Sequence, residues 1–266
     1  MELETGTDRM LARVEDGVGW MIFNQPAKRN AMSLDMQEAI PRILGAFGED
    51  DAVRVIVVTG AGERAFVAGA DISEFGERRT ASEAREYYDQ VAAEAGRAWA
   101  ATEKPIIAMI RGFCVGGGVL VALQADIRIA AEGSRFGVPA AKLGLGYGYG
   151  GVEKLAQLVG PAWTAEILYS ARLLDHEEAL RIGLVNRVVP VEELEASVAE
   201  LAGAIAANAP LTVKAVKAAL RETQRDPAKR DLGHVAALAE ACFRSEDYRE
   251  GQAAFLAKRP PRFQGH

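Results

Sequence analysis

The chain has 266 residues, 49% of them hydrophobic, which is enough for one large folded domain or two small ones. Its 31 basic and 37 acidic side chains give a formal net charge of −6, which argues against a nucleic-acid coat protein or a basic membrane-surface protein. No apolar run approaches the roughly 18 residues of a transmembrane helix, and the acidic start is unlike a signal peptide. Because the two cysteines, Cys114 and Cys242, lie far apart in the sequence, we expect a reduced, cytoplasmic protein. The charge and the apolar runs predict that it binds neither nucleic acid nor membrane.

The first part of the chain alternates β-type runs with helical segments, which predicts an α/β architecture. In chain order, strands are predicted over residues 9–14, 18–24, 53–59, 105–110 and 125–130. Helices are predicted over 33–47, 82–101 and 117–124. Residues 15–17 form the turn of a hairpin and 24–30 a loop, while Ser33 is the N-cap of a helix that Pro41 would kink.

After about Glu192 the β-type pattern disappears. Apolar residues then recur at the spacing of one helical face, namely at Leu194, Val198, Leu201 and Ile205. We therefore predict an α/β core over residues 1–192 and a helical region over 193–266.

Three glycine-rich segments are candidates for binding. Residues 60–65 fit a loose dinucleotide pattern, but no helical pattern follows them, so a plain turn is predicted. Residues 116–118 open a helix with three glycines, whose exposed N–H groups could stabilise negative charge or could simply allow close packing. Residues 144–151 hold five glycines and two tyrosines, which predicts an irregular segment that is either a pocket wall or a mobile surface turn.

The sequence gives little support for a catalytic nucleophile or a metal-binding site. The chain has three histidines, and His176 lies in a charged stretch where a helix start is the simpler interpretation. No nucleophile elbow, paired-histidine zinc motif or Cys/His ligand spacing is present. We therefore predict neither a serine or cysteine nucleophile nor a bound metal.

Taken together, five segments resemble the crotonase, or enoyl-CoA hydratase/isomerase, superfamily. They are residues 24–33 (NQPAKRNAMS), 65–72 (AFVAGADI), 104–130 with its GGG triplet, 136–139 (FGVP) and 179–186 (ALRIGLVN). The resemblance implies a spiral of ββα units with a C-terminal helical region that forms a homotrimer or a dimer of trimers. It also implies acyl-CoA thioester chemistry, in which coenzyme A enters as part of the substrate and no cofactor is permanently bound.

The resemblance assigns roles to particular residues. The backbone N–H groups of Ala70 and Gly117 would hold the thioester oxygen and stabilise an enolate. The residues implied in coenzyme A binding are Ala27, Lys28, Arg29, Ala68, Asp71 and Ile72, with Phe255 and Lys258 of a neighbouring subunit closing over the nucleotide.

The acid/base positions depart from the hydratases of the family. Leu120 and Ala140 stand where the two catalytic glutamates are found, and Gly148 stands at the acidic position of dienoyl isomerases. Tyr147 matches a tyrosine of malonyl-type CoA decarboxylases in the superfamily, although their histidine is replaced here by Ala70. Decarboxylation needs no general base, so we predict a malonyl-type CoA decarboxylase with Leu120, Ala140 and Tyr149 lining the substrate pocket.

Three alternatives remain open at this stage. Tyr147 could pack against the acyl chain without a chemical role. The chain could be a hydratase or isomerase with acid/base groups relocated to Tyr147, Tyr149, Glu74 or Tyr87. It could also be a catalytically silent acyl-CoA binding protein.

Overall fold

A seven-stranded sheet forms the centre of the molecule, with a three-stranded sheet beside it. The computed structural model describes residues 1–71 and 82–266, and of residues 82–85 only the backbone. The strands are β1 (Glu2–Leu3), β2 (Met10–Glu15), β3 (Val18–Phe23), β4 (Val55–Gly60), β5 (Ala65–Ala68), β6 (Ile106–Ile110), β7 (Phe113–Val115), β8 (Ile127–Ala131), β9 (Arg135–Gly137) and β10 (Arg187–Val189). The α-helices are α1 (Leu34–Glu49), α2 (Ser82–Ala101), α3 (Gly117–Ala122), α4 (Tyr149–Ser170), α5 (His176–Arg181), α6 (Leu194–Ala206), α7 (Pro210–Thr223), α8 (Leu232–Arg244) and α9 (Glu246–Leu256).

The strand order shows how the chain winds. The large sheet has the order β1-β2-β3-β4-β6-β8-β10 and the small sheet the order β5-β7-β9. Each turn of the chain therefore contributes one strand to the large sheet and the next strand to the small one, as in β4 and β5, β6 and β7, or β8 and β9. This is the predicted spiral of ββα units, and the predicted fold class is confirmed.

The central strands of the large sheet are buried on both faces, as the β-branched run in β4 predicts. One face packs against α6 through Leu194, Val198 and Ala202, which are fully buried. The other face packs against side chains of α1 and α2, including Phe47 and Trp99. The small sheet, whose strands are parallel, runs beside this core and carries the loops of the site.

Most predicted elements lie close to the observed ones. Helix α2 covers the predicted residues 82–101, and the predicted hairpin turn lies between β2 and β3. Residues 61–64 form a turn that leads into a strand rather than a helix, and His176 begins α5 as predicted. The loop over 24–30 contains a short 3-10 turn at Pro26–Lys28.

One prediction is wrong in part. Residues 144–151 were predicted to be irregular because of their glycines, yet α4 begins at Tyr149 and includes Gly150 and Gly151. A methyl group added to Gly151 would lie 2.8 Å from Leu120 Cδ2 and 2.9 Å from Tyr147 Cε1. The close packing at this position therefore offsets the poor helix propensity of glycine.

After β10, helices joined by loops follow as far as Leu256, and residues 257–266 form neither helix nor strand. Among the described residues, no single helix is long and apolar enough to cross a bilayer. Residues 191–223, which include α6 and α7, meet that test only as a pair bent by 105°.

Candidate active site

Two backbone segments that follow paired strands form the centre of the site. In the small sheet, Ala68 at the end of β5 pairs with Val115 at the end of β7. Two residues beyond each of these lie Ala70 and Gly117, so their peptide groups run side by side. A methyl group added to Gly117 would lie 3.7 Å from the Ala70 nitrogen. The structure therefore brings together the two residues whose N–H groups were predicted to hold one carbonyl oxygen.

Both segments have a glycine with positive φ immediately before the predicted donor. Gly69 has φ +96° and Gly116 has φ +57°, which are values that glycine adopts easily and other residues rarely. Gly118 is required for a different reason, because a methyl group there would lie 1.9 Å from the Val67 carbonyl oxygen. The glycines thus allow the two segments to approach each other closely.

The segment around Met32 fixes the direction of the Ala70 N–H. Met32 donates its N–H to the Gly69 carbonyl at 2.8 Å, and the Asp71 N–H donates to the Met32 carbonyl at 2.9 Å. In such a parallel bridge, the N–H of the central residue, Ala70, points away from Met32. Among the residues that the structure describes, neither the Ala70 N–H nor the Gly117 N–H has an acceptor, and Gly117 is the first residue of α3.

Apolar side chains and one tyrosine lie near α3, the helix that begins at Gly117. Leu120 stands on α3, Ala140 is buried in the short turn Pro139–Leu143, and Tyr147 packs against the apolar core that includes Ala140. Leu120 and Tyr147 approach each other at Gly151, in the first turn of α4. The structure thus brings together these two predicted pocket residues and places no carboxylate at positions 120 and 140.

The Tyr147 hydroxyl has an unusual environment. Its oxygen is buried and has no hydrogen-bond partner in the described part of the chain. Burial raises the pKa of Tyr147 well above its ordinary value of 10.0, and the nearby Cys114 thiol adds to the effect. The hydroxyl therefore stays protonated at neutral pH and can donate a hydrogen bond. An unpaired buried hydroxyl costs about 1–3 kcal/mol, so a bound group that accepts from it gains that amount.

The residues predicted to bind coenzyme A also come together. The Ala68 N–H donates to the Arg29 carbonyl at 3.1 Å, and Lys28 Nζ lies 2.7 Å from Asp71 Oδ2. The Arg29 guanidinium lies 5.0 Å from the centre of the Phe113 ring, and Ala27 is exposed beside it. Of this set, Ile72 lies outside the described residues.

Comparisons with known proteins identify the family of the chain. The family model for enoyl-CoA hydratase/isomerase matches residues 13–266. The chain belongs to the enoyl-CoA hydratase/isomerase family. It is 38% identical to the crotonyl-CoA hydratase of Syntrophomonas wolfei, over 96% of this chain and 98% of that protein. It is 36% identical to the short-chain-enoyl-CoA hydratase of Clostridium acetobutylicum, over 95% and 96% of the two chains.

A solved structure shows the same similarity in three dimensions. An enoyl-CoA hydratase/carnithine racemase from Magnetospirillum magneticum superimposes with a TM-score of 0.90 at 36% identity, covering 98% of this chain and 97% of the other. The crotonase superfamily is therefore established for this chain, and with it an acyl-CoA enzyme.

The remaining residues predicted for the site are not grouped with Leu120 and Tyr147 in the described structure. Tyr149 is 77% exposed and its hydroxyl donates to Glu153, so it does not join Leu120 and Tyr147. The Tyr87 hydroxyl donates to Glu38 at 2.7 Å, and Glu74 lies outside the described residues. Phe255 on α9 is 84% exposed and Lys258 follows that helix, so their predicted contact with a neighbouring subunit stays a prediction.

Asn30 and Met32 belong to the motif of residues 24–33, but the sequence alone assigns them no role. Asn30 is fully buried and donates from Nδ2 to the carbonyls of Ala61 and Ala65, at 2.9 and 2.8 Å. Its Oδ1 accepts from the Gln25 N–H, and its φ of +55° is one that asparagine tolerates better than most residues. The sequence signal for such a residue is an asparagine in the predicted loop 24–30, because asparagine favours turn conformations.

Proposed function

We propose that the protein binds an acyl-CoA thioester with its carbonyl oxygen between the N–H groups of Ala70 and Gly117. The observation that carries this proposal is the pair of adjacent amides without an acceptor in the described residues. Reaction at the carbon beside a thioester passes through an enolate, whose negative charge lies largely on that oxygen. Each positioned donor in such a site contributes about 2.7–4 kcal/mol to stabilisation of the charge.

For the reaction, we infer decarboxylation of a malonyl-type thioester. The bond between the α-carbon and the carboxylate breaks, its electron pair forms the enolate, and CO₂ leaves. The α-carbon then takes one proton, which comes in the end from solvent. This sequence needs no general base, which suits Leu120 and Ala140 at the positions of the family's two glutamates.

Tyr147 would act on the departing carboxylate. Because burial keeps its hydroxyl protonated, it can donate to a carboxylate and hold that group out of the plane of the thioester. Electron flow from the breaking bond into the carbonyl requires this out-of-plane orientation. The apolar Leu120 side chain next to Tyr147 disfavours the charged carboxylate, and this favours transfer of its negative charge to the enolate as CO₂ forms.

Hydration or isomerisation of an enoyl-CoA is the second candidate, because the relatives from S. wolfei and C. acetobutylicum are named as hydratases. Such a reaction needs an acid/base group other than residues 120 and 140, and Tyr147, which lies with Leu120 at Gly151, is a candidate. Binding without turnover is the third outcome.

One panel of substrates separates these outcomes. The protein is incubated with methylmalonyl-CoA, crotonyl-CoA and a long-chain acyl-CoA, and CO₂ release, hydration and binding are measured. We expect CO₂ from methylmalonyl-CoA, and a decrease of about tenfold to a hundredfold in Tyr147→Phe from loss of one hydrogen bond. Tyr169→Phe, which removes an exposed hydroxyl from α4, is the matched control. Hydration of crotonyl-CoA without CO₂ release would replace decarboxylation by the second candidate.

In this proposal, coenzyme A enters and leaves with the acyl group, and no resident cofactor is needed. The exposed segment with Ala27, Lys28 and Arg29 would hold the nucleotide. A cytoplasmic location fits the free thiols of Cys114 and Cys242.

We also propose that a second copy of the chain covers the C-terminal helices, as part of a trimer or a dimer of trimers. An apolar groove of about 690 Å³ lies among α7, α8 and α9 and is lined by Phe243 and Phe255, which are 62% and 84% exposed. Light scattering should then give three or six times the chain mass of 28.5 kDa. Phe255→Asp should lower that mass, whereas a monomeric wild type at micromolar concentration would contradict the proposal.

A further inference from the structure

Asp71, the residue immediately after Ala70, carries a buried carboxylate. Its side chain is 5% exposed. Lys28 Nζ lies 2.7 Å from its Oδ2, and Gln25 Nε2 donates to the same oxygen at 3.4 Å. A buried carboxylate is tolerated only with such partners, so the charge of Asp71 ties its own segment to the turn that contains Lys28.

The backbone of Asp71 is held from the same side. Its N–H donates to the Met32 carbonyl, and the Met32 N–H donates to the Gly69 carbonyl. The peptide groups before and after Ala70 are therefore both attached to the segment 25–32. The direction of the Ala70 N–H depends on these attachments.

The segment 25–32 is itself firmly held. Asn30 fixes it to the carbonyls of Ala61 and Ala65, and the Arg29 carbonyl accepts from the Ala68 N–H. Asp71 thus joins Ala70 to a turn that has its own anchors in the core. The Lys28 side chain is 52% exposed, so it is also accessible to an anionic ligand. The ion pair with Asp71 therefore has a second effect, since the Asp71 carboxylate competes with such a ligand for Lys28.

We propose that Asp71 is a positioning residue with two opposed effects. It holds the Ala70 N–H in the orientation that receives the thioester oxygen, and it restrains and partly neutralises Lys28, which weakens the attraction of Lys28 for the phosphates of coenzyme A. This inference rests on the proposed function, since it assumes that a thioester occupies the space between Ala70 and Gly117.

The test uses Asp71→Asn, which keeps the side-chain volume and removes the charge. Two properties are measured in the full-length protein: the Kd of free coenzyme A by calorimetry, and the near-ultraviolet enolate band of bound acetoacetyl-CoA. We expect the enolate band to fall by about tenfold, because a displaced donor stabilises the enolate poorly. We expect the Kd of coenzyme A to fall by about twofold to fivefold, because the side chain at position 71 no longer competes as a charged carboxylate for Lys28.

Matched variants separate positioning from loss of structure. Lys28→Gln should weaken coenzyme A binding, and Asp71→Glu should restore the wild-type affinity because it restores the charge. Asp16→Asn makes the same chemical change in the exposed β2–β3 turn and should alter neither property. Thermal unfolding followed by circular dichroism verifies that each variant is folded.

The outcomes distinguish this inference from the proposed function. An enolate band that is as strong in Asp71→Asn as in the wild type would overturn the role of Asp71 alone. A parallel loss of the enolate band and of coenzyme A affinity, together with a lower Tm, would reduce Asp71 to a structural residue and also overturn it. If wild-type protein binds acetoacetyl-CoA without any enolate band, the proposed donor pair fails, while the predicted tightening of coenzyme A binding still tests the restraint on Lys28.

Discussion

The two parts of the chain bury apolar surface to very different extents. In the α/β part, the central strands β4 and β6 are almost completely buried. In the C-terminal helices, α6 buries one face, formed by Leu194, Val198 and Ala202. Helix α8, which the structure describes in full, has no buried residue. Phe255 and Leu256 on α9 are more than four-fifths exposed. The α/β part is therefore stabilised within one chain, whereas α8 and α9 present apolar surface that the single chain does not use.

Helix α7 joins these two parts mainly through charged side chains. Lys217 Nζ lies 2.7 Å from both Asp126 Oδ2 and the Lys104 carbonyl oxygen, and Lys217 is the one residue of α7 that is buried. Lys214 pairs with Glu103 at 2.6 Å near the surface. Close packing therefore sets the geometry of the site and docks α6, while ion pairs dock α7 onto the α/β part.

The largest expected effect is in the closely packed part. In Gly118→Ala, the new methyl group meets the Val67 carbonyl at 1.9 Å, and both atoms belong to rigid backbone segments. We expect a loss of at least about 3 kcal/mol of unfolding free energy, as for severe overpacking, and loss of thioester turnover because α3 must move. Urea unfolding and the methylmalonyl-CoA assay measure the two effects. A stable, fully active variant would show that packing does not fix the position of Gly117.

The next effect concerns the docking of α7. Lys217→Ala leaves Asp126 and the Lys104 carbonyl without their shared donor, and we expect a loss of about 2–3 kcal/mol, below the range for fully buried pairs because Asp126 is partly exposed. Lys214→Ala is the matched control, since its ion pair is more exposed and contributes at most about 1 kcal/mol. Chemical unfolding of both variants gives the difference. Equal losses of unfolding free energy in the two variants would mean that burial of the Lys217 charge does not increase its contribution to stability.

The pH dependence of stability should also come from the α/β part. Burial raises the pKa of the Cys114 thiol above its ordinary value of 9.0, so the unfolded chain releases this proton first as the pH rises. Stability should therefore fall above about pH 9, by up to about 1.4 kcal/mol per pH unit for this group, and Tyr147 should add to the slope above about pH 10. Cys114→Ala should make the decline shallower, as measured by urea unfolding between pH 8 and 10. An unchanged slope would exclude Cys114 as a cause.

The smallest effect is a gain in the helical region. Gly203 lies inside α6, and a methyl group there would meet no atom within 4 Å. Gly203→Ala should raise the unfolding free energy by about 0.5–1 kcal/mol, because alanine has the better helix propensity. Thermal unfolding should show a Tm increase of a few degrees. A decrease would indicate that α6 is packed more tightly at this point than the structure shows.

Local patterns predicted the elements that have a strong repeat. The polar helix over 82–101 and the buried strand β4 followed from periodicity and β-branched residues alone. Strand β5 could not be predicted in this way, because it has only four residues and a glycine follows it. Its partner strand β7 is also almost 50 residues away in the sequence. The start of α4 at Tyr149 was missed for a related reason, since Leu120 and Tyr147 favour a glycine at 151 through contacts that no local pattern reveals.

The candidate site was predicted only in part. The pairing of Ala70 with Gly117 came from resemblance to a family, because nothing in either segment alone indicates the other. The structure supplies the physical reason, which is the parallel pairing of β5 with β7. The roles of Asn30 and Met32 depend on hydrogen bonds to residues about 30 to 40 positions away, so they required the folded chain.

Both groups proposed to stabilise the negative charge of the enolate are peptide N–H groups, which almost every amino acid possesses. Apart from proline, a substitution at position 70 alters what surrounds the donor and leaves the donor itself in place. The capacity to stabilise the intermediate is thus inherited with the path of the main chain, whereas the fate of that intermediate is decided by a few interchangeable neighbours such as Leu120, Ala140 and Tyr147. New chemistry on this scaffold can therefore arise by changing side chains around a catalytic element that point mutation rarely removes.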